Sequence, residues 1–263
     1  MNESASSRLA AILTGGEPPA DLYSVEGSRL YERFAEFDDS EQRELLRRLA
    51  ATEGDILELA CGGGRLALPF LALGRPVVGI DLSEEMIRIL QDRYDRLPRS
   101  RRRVPLTAVV ADMRNFELRR LFGAIVLATT SIFLLDASDR EQLFAAVRRH
   151  LAPGGLFFVT VYESSLEVGA SSTRLVPLTG DVPAVALLSD QVREDGRTRE
   201  VTALQISRDH DGALDVAAFS SVVHTASKEE LDDELVRAGF THVESIALSG
   251  GDAGGLRIRG YSL

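Results

Sequence analysis

Three acidic residues each close or sit within a short apolar run: Glu58 in "ILEL", Asp81 in "VVGID" and Asp112 in "VVAD". Between the first and second lie three consecutive glycines, Gly62, Gly63 and Gly64, followed by "RLALPFLAL", which is apolar at helical spacing. Glycine costs roughly 0.5 to 1 kcal/mol relative to alanine inside regular structure, so such a run marks a tight turn or a ligand that needs bare backbone. The helix after the turn also offers free N–H groups to an anionic partner. One acid at a strand end is commonly a helix cap. Three in succession beside a glycine turn point instead to a ligand, and Asp81 stands where an acid pairs with ribose hydroxyls in nucleotide sites.

Two ligands fit this much. Gly62, Gly64 and Ala67 match G-x-G-x-x-G/A, so a nicotinamide dinucleotide, and with it an NAD-dependent oxidoreductase, is formally open. A pyrophosphate, however, wants a cradle poor in acids. Glu58 before the turn and Asp112 on the third strand suit a ligand with a ribose, a cationic amino-acid tail and no phosphate.

The elements that must carry these residues alternate. From residue 55 the strands "DILELA", "PVVGID", "LTAVVAD", "GAIVLATT" and "LFFVTVY" are separated by amphipathic stretches such as "SEEMIRILQDRYDRL". Such alternation calls for crossover connections, hence a mostly parallel sheet with helices on both faces. The acids and the turn then share the carboxyl edge of the strands, where open α/β sheets bind ligands. "SRLYERFAEF" and "SEQRELLRRLA", with Ser40 as N-cap, read as an N-terminal helical cap over residues 1–50. Residues 164–225 lack strong helices and carry the extended runs "AVALLSDQV", "REVTALQIS" and "LDVAAFSSVVH", an antiparallel meander. At Ser227 a capping box opens the last helix, and two strands follow.

In order and spacing, "ILELACGGGRL", "VVGIDLSEEMI", "VVADMRNFEL", "IVLATTSIFLLD" and "LAPGGLFFVTVYE" resemble the signature stretches of class I S-adenosylmethionine-dependent methyltransferases. "KEELDDELVRAGFTHVESI" is similar to that family's last helix and strand. The resemblance implies an α/β fold, a Rossmann-like class I methyltransferase core with a mostly parallel seven-stranded sheet over 51–163 and 226–263. The cap over 1–50 and an antiparallel β lid insertion over 164–225 complete it. It implies S-adenosyl-L-methionine as cofactor, with S-adenosyl-L-homocysteine as product. Glu58 and the backbone from Ala60 through Gly62 to Gly64 would hold the methionine end. Asp81 would take the ribose hydroxyls with Leu82 and Met86 nearby, and Asp112 with Met113 would read the adenine. Thr129 and Thr130 would floor the space between cofactor and substrate, and Tyr23 and Tyr31 resemble tyrosines that fold over the cofactor. Ala60 departs from the glycine that many members carry there.

For the acceptor, the meander is the substrate-defining part, and Thr130, Ser131, Tyr162, Glu163 and His224 are the candidate substrate residues. No catalytic residue is assigned; Tyr162, Glu163 and His224 are the candidates, with Glu163 suited to a cationic amine. His150 reads as a helix-end dipole contact. Sugar N,N-dimethyltransferases carry a comparable lid, and "LELACGGGRLALPFLALGRPVVGIDLS" also resembles the methyltransferase of daptide-type peptide (RiPP) biosynthesis, which dimethylates an amine. The expected function is N-methylation of a small-molecule or modified-peptide amine in natural-product biosynthesis. O-methyl transfer and a catalytically silent binding protein stay as alternatives.

Bulk properties agree. The 263 residues carry a net charge of -10, which disfavours nucleic acid. "RSRRR" at 99–103 reads as a solvated loop. Cys61 is the sole cysteine, a small residue in the turn, and no His, Cys or acid cluster has metal spacing. The N-terminus does not read as a signal peptide and no apolar stretch spans a bilayer, so a cytoplasmic monomer or homodimer without membrane or nucleic-acid partners is expected.

Overall fold

The computed structural model describes residues 5–35, 39–163, 167–178, 184–208, 211–248 and 255–263, the side chains of 5, 31, 32, 34 and 35 excepted. In chain order the elements are α1 (Ala5–Leu13), β1 (Ala20–Asp21), α2 (Val25–Ala35), α3 (Ser40–Leu49), β2 (Ile56–Leu59), α4 (Ala67–Phe70), β3 (Val77–Asp81) and α5 (Glu84–Arg96). Then come β4 (Leu106–Val110), β5 (Phe122–Leu127), α6 (Ala137–His150), β6 (Leu151–Tyr162), β7 (Ser171–Leu178), β8 (Ala184–Val192), β9 (Thr198–Arg208) and β10 (Leu214–His224). α7 (Lys228–Arg237), β11 (Thr241–Ala247) and β12 (Leu256–Ser262) close the chain. It divides into two compact units, Met1–Asp38 with Ser165–Thr225, and Asp39–Ser164 with Ala226–Leu263.

The second unit is built on a seven-stranded sheet in the order β11-β12-β6-β5-β2-β3-β4. β2 pairs in parallel with both β3 and β5, and β3 with β4 and β5 with β6 are parallel as well. β12 runs antiparallel to β6 and β11 antiparallel to β12. The order reverses between β2 and β5, the switch point at which open sheets leave a crevice. All of Ile56–Leu59 is buried, because both faces of a central parallel strand are covered. One face packs Leu45, Leu49, Phe70, Leu90, Val126 and Phe158. Elsewhere in the unit Phe144, Phe157 and Phe240 meet one another with centroids 5.8 to 6.4 Å apart.

Helix ends follow side-chain chemistry. Ser83 caps α5 by accepting from the Met86 N–H, Asp136 caps α6, and the Ser227–Glu230 capping box opens α7. At α3 the expectation fails: the cap is Asp39, with no side-chain cap bond, and Ser40 is the buried first residue of the helix. Asp39 enters at φ -89°, ψ 10° rather than extended, which takes its side chain off the capping position. "RLALPFLAL" yields only the short α4 and a 3-10 turn that ends at Gly74 in the left-handed region.

The first unit is a five-stranded sheet, β1-β10-β9-β8-β7, antiparallel apart from the short β1 lying parallel to β10. Leu22 and Leu30 pack with Leu178, Ala186, Ala203 and Phe219, and Ala10 with Leu204 and Ala218. Residues 1–50 are therefore not one helical layer: α1 and α2 belong with the antiparallel strands, α3 with the parallel sheet. The apolar face of α2 finds its partners in β7 to β10, a pairing invisible in local periodicity. β7, like the two-residue β1, matches none of the extended runs in the sequence, and seven of its eight positions are exposed or half-exposed.

Candidate active site

The carboxyl ends of β2, β3, β4, β5 and β6 point the same way, which gathers Glu58, Asp81, Asp112, Thr129 and Tyr162 along one edge of the sheet. Glu58 is 4% exposed, and its Oε2 has no hydrogen-bond partner. Burial pushes its carboxyl up to about 8; Arg65 and the Ala67 N–H oppose that shift, while Glu41 and Asp81 add to it. A buried oxygen left without a partner costs free energy unless a ligand completes it. An ammonium group does so with the right charge.

The turn after β2 is bare where a ligand needs it. Gly62 has φ +51°, and a Cβ there would meet nothing within 4 Å. At Gly64, φ +86°, any other residue would be strained in the left-handed region, and its Cβ would have to displace the Leu90 side chain of α5. Ala60 also sits in the left-handed region at φ 51°, a conformation that favours glycine, the residue that the resemblance leads one to expect there. Cys61 is buried in the turn, and burial pushes its thiol up.

Asp81 closes the turn. Its Oδ2 accepts from the Gly62 N–H at 2.8 Å and its Oδ1 from the Ser83 N–H at 2.9 Å. Beside it Leu82 is 71% exposed, a large apolar side chain at the ligand edge, while Met86 is buried in the first turn of α5. Asp112 is committed differently: Arg114 donates to both of its oxygens and also to Asp139 at 3.0 Å. Hydrogen bonding to Arg114 holds Asp112 below the usual carboxylate range, against burial, which acts to raise it. Met113 is half-buried next to it.

Thr129 and Thr130 both adopt left-handed conformations, φ 54° and 58°. Non-glycine residues hold that region only where the surroundings over-determine it. Here the Thr129 N–H donates to Glu41 Oε1 at 2.8 Å, and Thr129 Oγ1 lies 3.2 Å from Ser131 Oγ. Glu41 Oε2 in turn accepts from Arg65 Nη2 at 2.5 Å. Glu41 and Arg65 were missed at the sequence level. Arg65 adjoins the glycines and carried a visible cue; Glu41, 88 residues from Thr129, carried none.

Tyr162 is half-buried at the end of β6. Glu163 follows it, but the expectation that it holds a cationic amine is corrected: Arg259, 1% exposed, donates to its carboxylate, and Arg257 lies 3.7 Å away. Arg259 also reaches Asp232 at 2.9 Å, so Glu163 belongs to a structural ion-pair network. His150 ends α6 but is buried, accepts from the Leu118 N–H at Nε2 and packs at a tilt against Phe116. Tyr23 and His224 are carried by the five-stranded unit. Tyr23 is 47% exposed with its N–H donating to Asp21, and His224 ends β10 opposite Thr198. The side chain of Tyr31, and His210, lie outside the described residues.

A switch-point crevice, a glycine cradle and a buried acid short of one partner are the marks of a Rossmann-like ligand-binding sheet, the architecture that class I methyltransferases share. Residues 56–155 match the family described as a methyltransferase domain. A dTDP-3-amino-3,4,6-trideoxy-alpha-D-glucopyranose N,N-dimethyltransferase of Streptomyces venezuelae is 30% identical over 191 residues, 68% of this chain and 75% of that protein. The glycopeptide N-methyltransferase MtfA, solved with S-adenosyl-L-methionine, is 28% identical, with a TM-score of 0.60 over 85% of this chain and 93% of that one. An S-adenosylmethionine-dependent methyltransferase from Clostridium acetobutylicum, 17% identical, shares the fold at a TM-score of 0.70 over 90% of this chain and 98% of that one. The chain belongs to the S-adenosylmethionine-dependent methyltransferase family, and S-adenosyl-L-methionine is its cofactor. The dinucleotide reading of the partial glycine match falls with that assignment. Among the described residues no helix is long and apolar enough to cross a membrane.

Proposed function

We propose that the enzyme methylates an amine of a small molecule or modified peptide in natural-product biosynthesis. One observation carries the reading: within the seven-stranded unit the described histidines stand away from the acceptor edge, and His224, in the five-stranded unit, is the base that the alternative O-methyl transfer would call on. His150 precedes β6 and His242 opens β11, which runs in the same direction, so both stand at the opposite, amino-terminal edge. An amine brings its own lone pair, whereas an alcohol or phenol wants a dedicated base. The N,N-dimethyltransferase of an amino sugar and the glycopeptide N-methyltransferase among its relatives support the same class. An amino sugar and the aminated terminus of a daptide-type peptide both present such a group.

When bound, the cofactor would supply an electrophilic methyl group on a sulfonium, taken by the acceptor's lone pair as the neutral thioether leaves without needing a proton. The chain's residues bind and orient. Glu58 holds the ammonium of the methionine end and Asp81 the ribose hydroxyls, against Leu82 and Met86. Asp112, fixed by Arg114, reads the adenine together with Met113. Thr129, Thr130 and Ser131 form the floor, on which Tyr162 also borders. Alignment of this kind can supply roughly 7 to 11 kcal/mol. Deprotonating an ammonium of pKa near 10 at neutral pH costs about 4 kcal/mol. Turnover with an amino-sugar nucleotide or an aminated peptide should therefore rise with pH towards the acceptor's pKa. A flat profile from pH 6 to 9, or turnover only of hydroxyl acceptors, would refute the amine reading in favour of O-methyl transfer.

A further inference from the structure

Three charged side chains meet behind the glycine turn, and their pairing is uneven. Glu41 is 7% exposed and takes two donors, Arg65 on one oxygen and the Thr129 N–H on the other. Glu58, more deeply buried, keeps Oε2 without a partner although Arg65 acts on it electrostatically. The nearby cation thus serves the acid on α3 and not the acid on β2. Buried charges left alone seek partners, so an Arg65 released from Glu41 has Glu58 as its alternative.

We propose that Glu41 is a positioning residue for the amino-acid end of S-adenosylmethionine: by holding Arg65 on itself, it leaves the second oxygen of Glu58 for the cofactor's ammonium. A guanidinium resting on Glu58 would satisfy the same oxygen with the same sign of charge and compete with the ligand. The Thr129 N–H is the anchor of the device, because it holds the carboxylate oxygen of Glu41 that Arg65 does not take. The inference rests on the cofactor assignment and is independent of the nature of the acceptor.

Two ligands separate this role from a general structural one. S-Adenosylhomocysteine carries the amino acid; 5′-methylthioadenosine keeps the adenosine and thioether and lacks it. In calorimetric titrations Glu41→Ala should raise the Kd of S-adenosylhomocysteine at least tenfold and leave that of 5′-methylthioadenosine within twofold. Glu41→Ala combined with Arg65→Ala should bring S-adenosylhomocysteine back to within threefold of the wild type. If the alanine variant does not fold, Glu41→Gln, whose amide oxygen still accepts from Thr129, carries the same comparison through a weakened hold on Arg65. Equal losses for both ligands, unchanged affinity, or a selective loss that persists in the double variant would each overturn the proposal. Wild-type protein that binds neither ligand would overturn the cofactor assignment itself, and so marks that failure apart from this one.

Discussion

Glu58 stands in a place that costs the empty protein stability. Its carboxyl titrates near 8 in the folded chain against an ordinary 4.5, with burial as the main cause. Between those values the folded state holds a proton that the unfolded state has lost, so the contribution is favourable at low pH and is lost as pH rises through the window. Thermal unfolding of the ligand-free protein from pH 5 to 8.5 should show the wild type losing ground to Glu58→Gln as pH rises. Parallel curves would show that Glu58 ionises normally. The same substitution removes the charge that pairs with the cofactor's ammonium, so its gain in stability comes with weakened cofactor binding. Asp81 differs, for its oxygens already receive the Gly62 and Ser83 N–H groups. Asp81→Ala removes the ribose partner and unties the turn together, and the Kd for S-adenosylmethionine should rise at least tenfold. Unchanged affinity would reduce Asp81 to a local tie within the loop.

Elements were legible in proportion to how local their causes are. The Ser227 capping box needs four adjacent residues, and it appears in the structure as written: Ser227 Oγ accepts from the Glu230 N–H, and Glu230 accepts from the Ser227 N–H. Ser227→Ala should cost about 1 kcal/mol in chemical denaturation, the usual loss for such a cap; a change within 0.3 kcal/mol would mean the end frays without consequence. The parallel strands were legible for a related reason, since burial on both faces writes continuous apolar runs into the chain. β7 was not, because an edge strand with an exposed face, a proline at 177 and no alternation leaves no periodic mark. The cap of α3 misled because Ser40 has the right chemistry one position too late. The site divides along the same line. Glu58, Asp81 and Asp112 follow from strand ends, and Arg114, the partner of Asp112, stands only two residues on, whereas the partners of Glu41 and Glu163 depend on which distant arginine folds beside them.

At the scale of the whole molecule, one unit interrupts the other. β12 pairs with β6 through Leu256 and Tyr162, although the entire Ser165–Thr225 segment lies between them in sequence. Such an insertion is tolerated because loop-closure entropy grows only slowly with length. The described side chains assigned to the cofactor, Tyr23 apart, belong to the seven-stranded unit, so ligand binding should be read out there. At a hundred times its Kd, S-adenosylhomocysteine stabilises the state that binds it by about 2.7 kcal/mol. In hydrogen exchange, amides of Cys61–Gly64, Ser83–Met86 and Met113–Arg114 should slow on adding the ligand. Slowing confined to such segments means that the seven-stranded unit holds the cofactor with its own residues. Slowing that extends to Leu22–Gly27 would give Tyr23 the role that its resemblance implies. An unchanged pattern around the glycine turn, with ligand bound, would place the cofactor somewhere other than the three carboxylates specify.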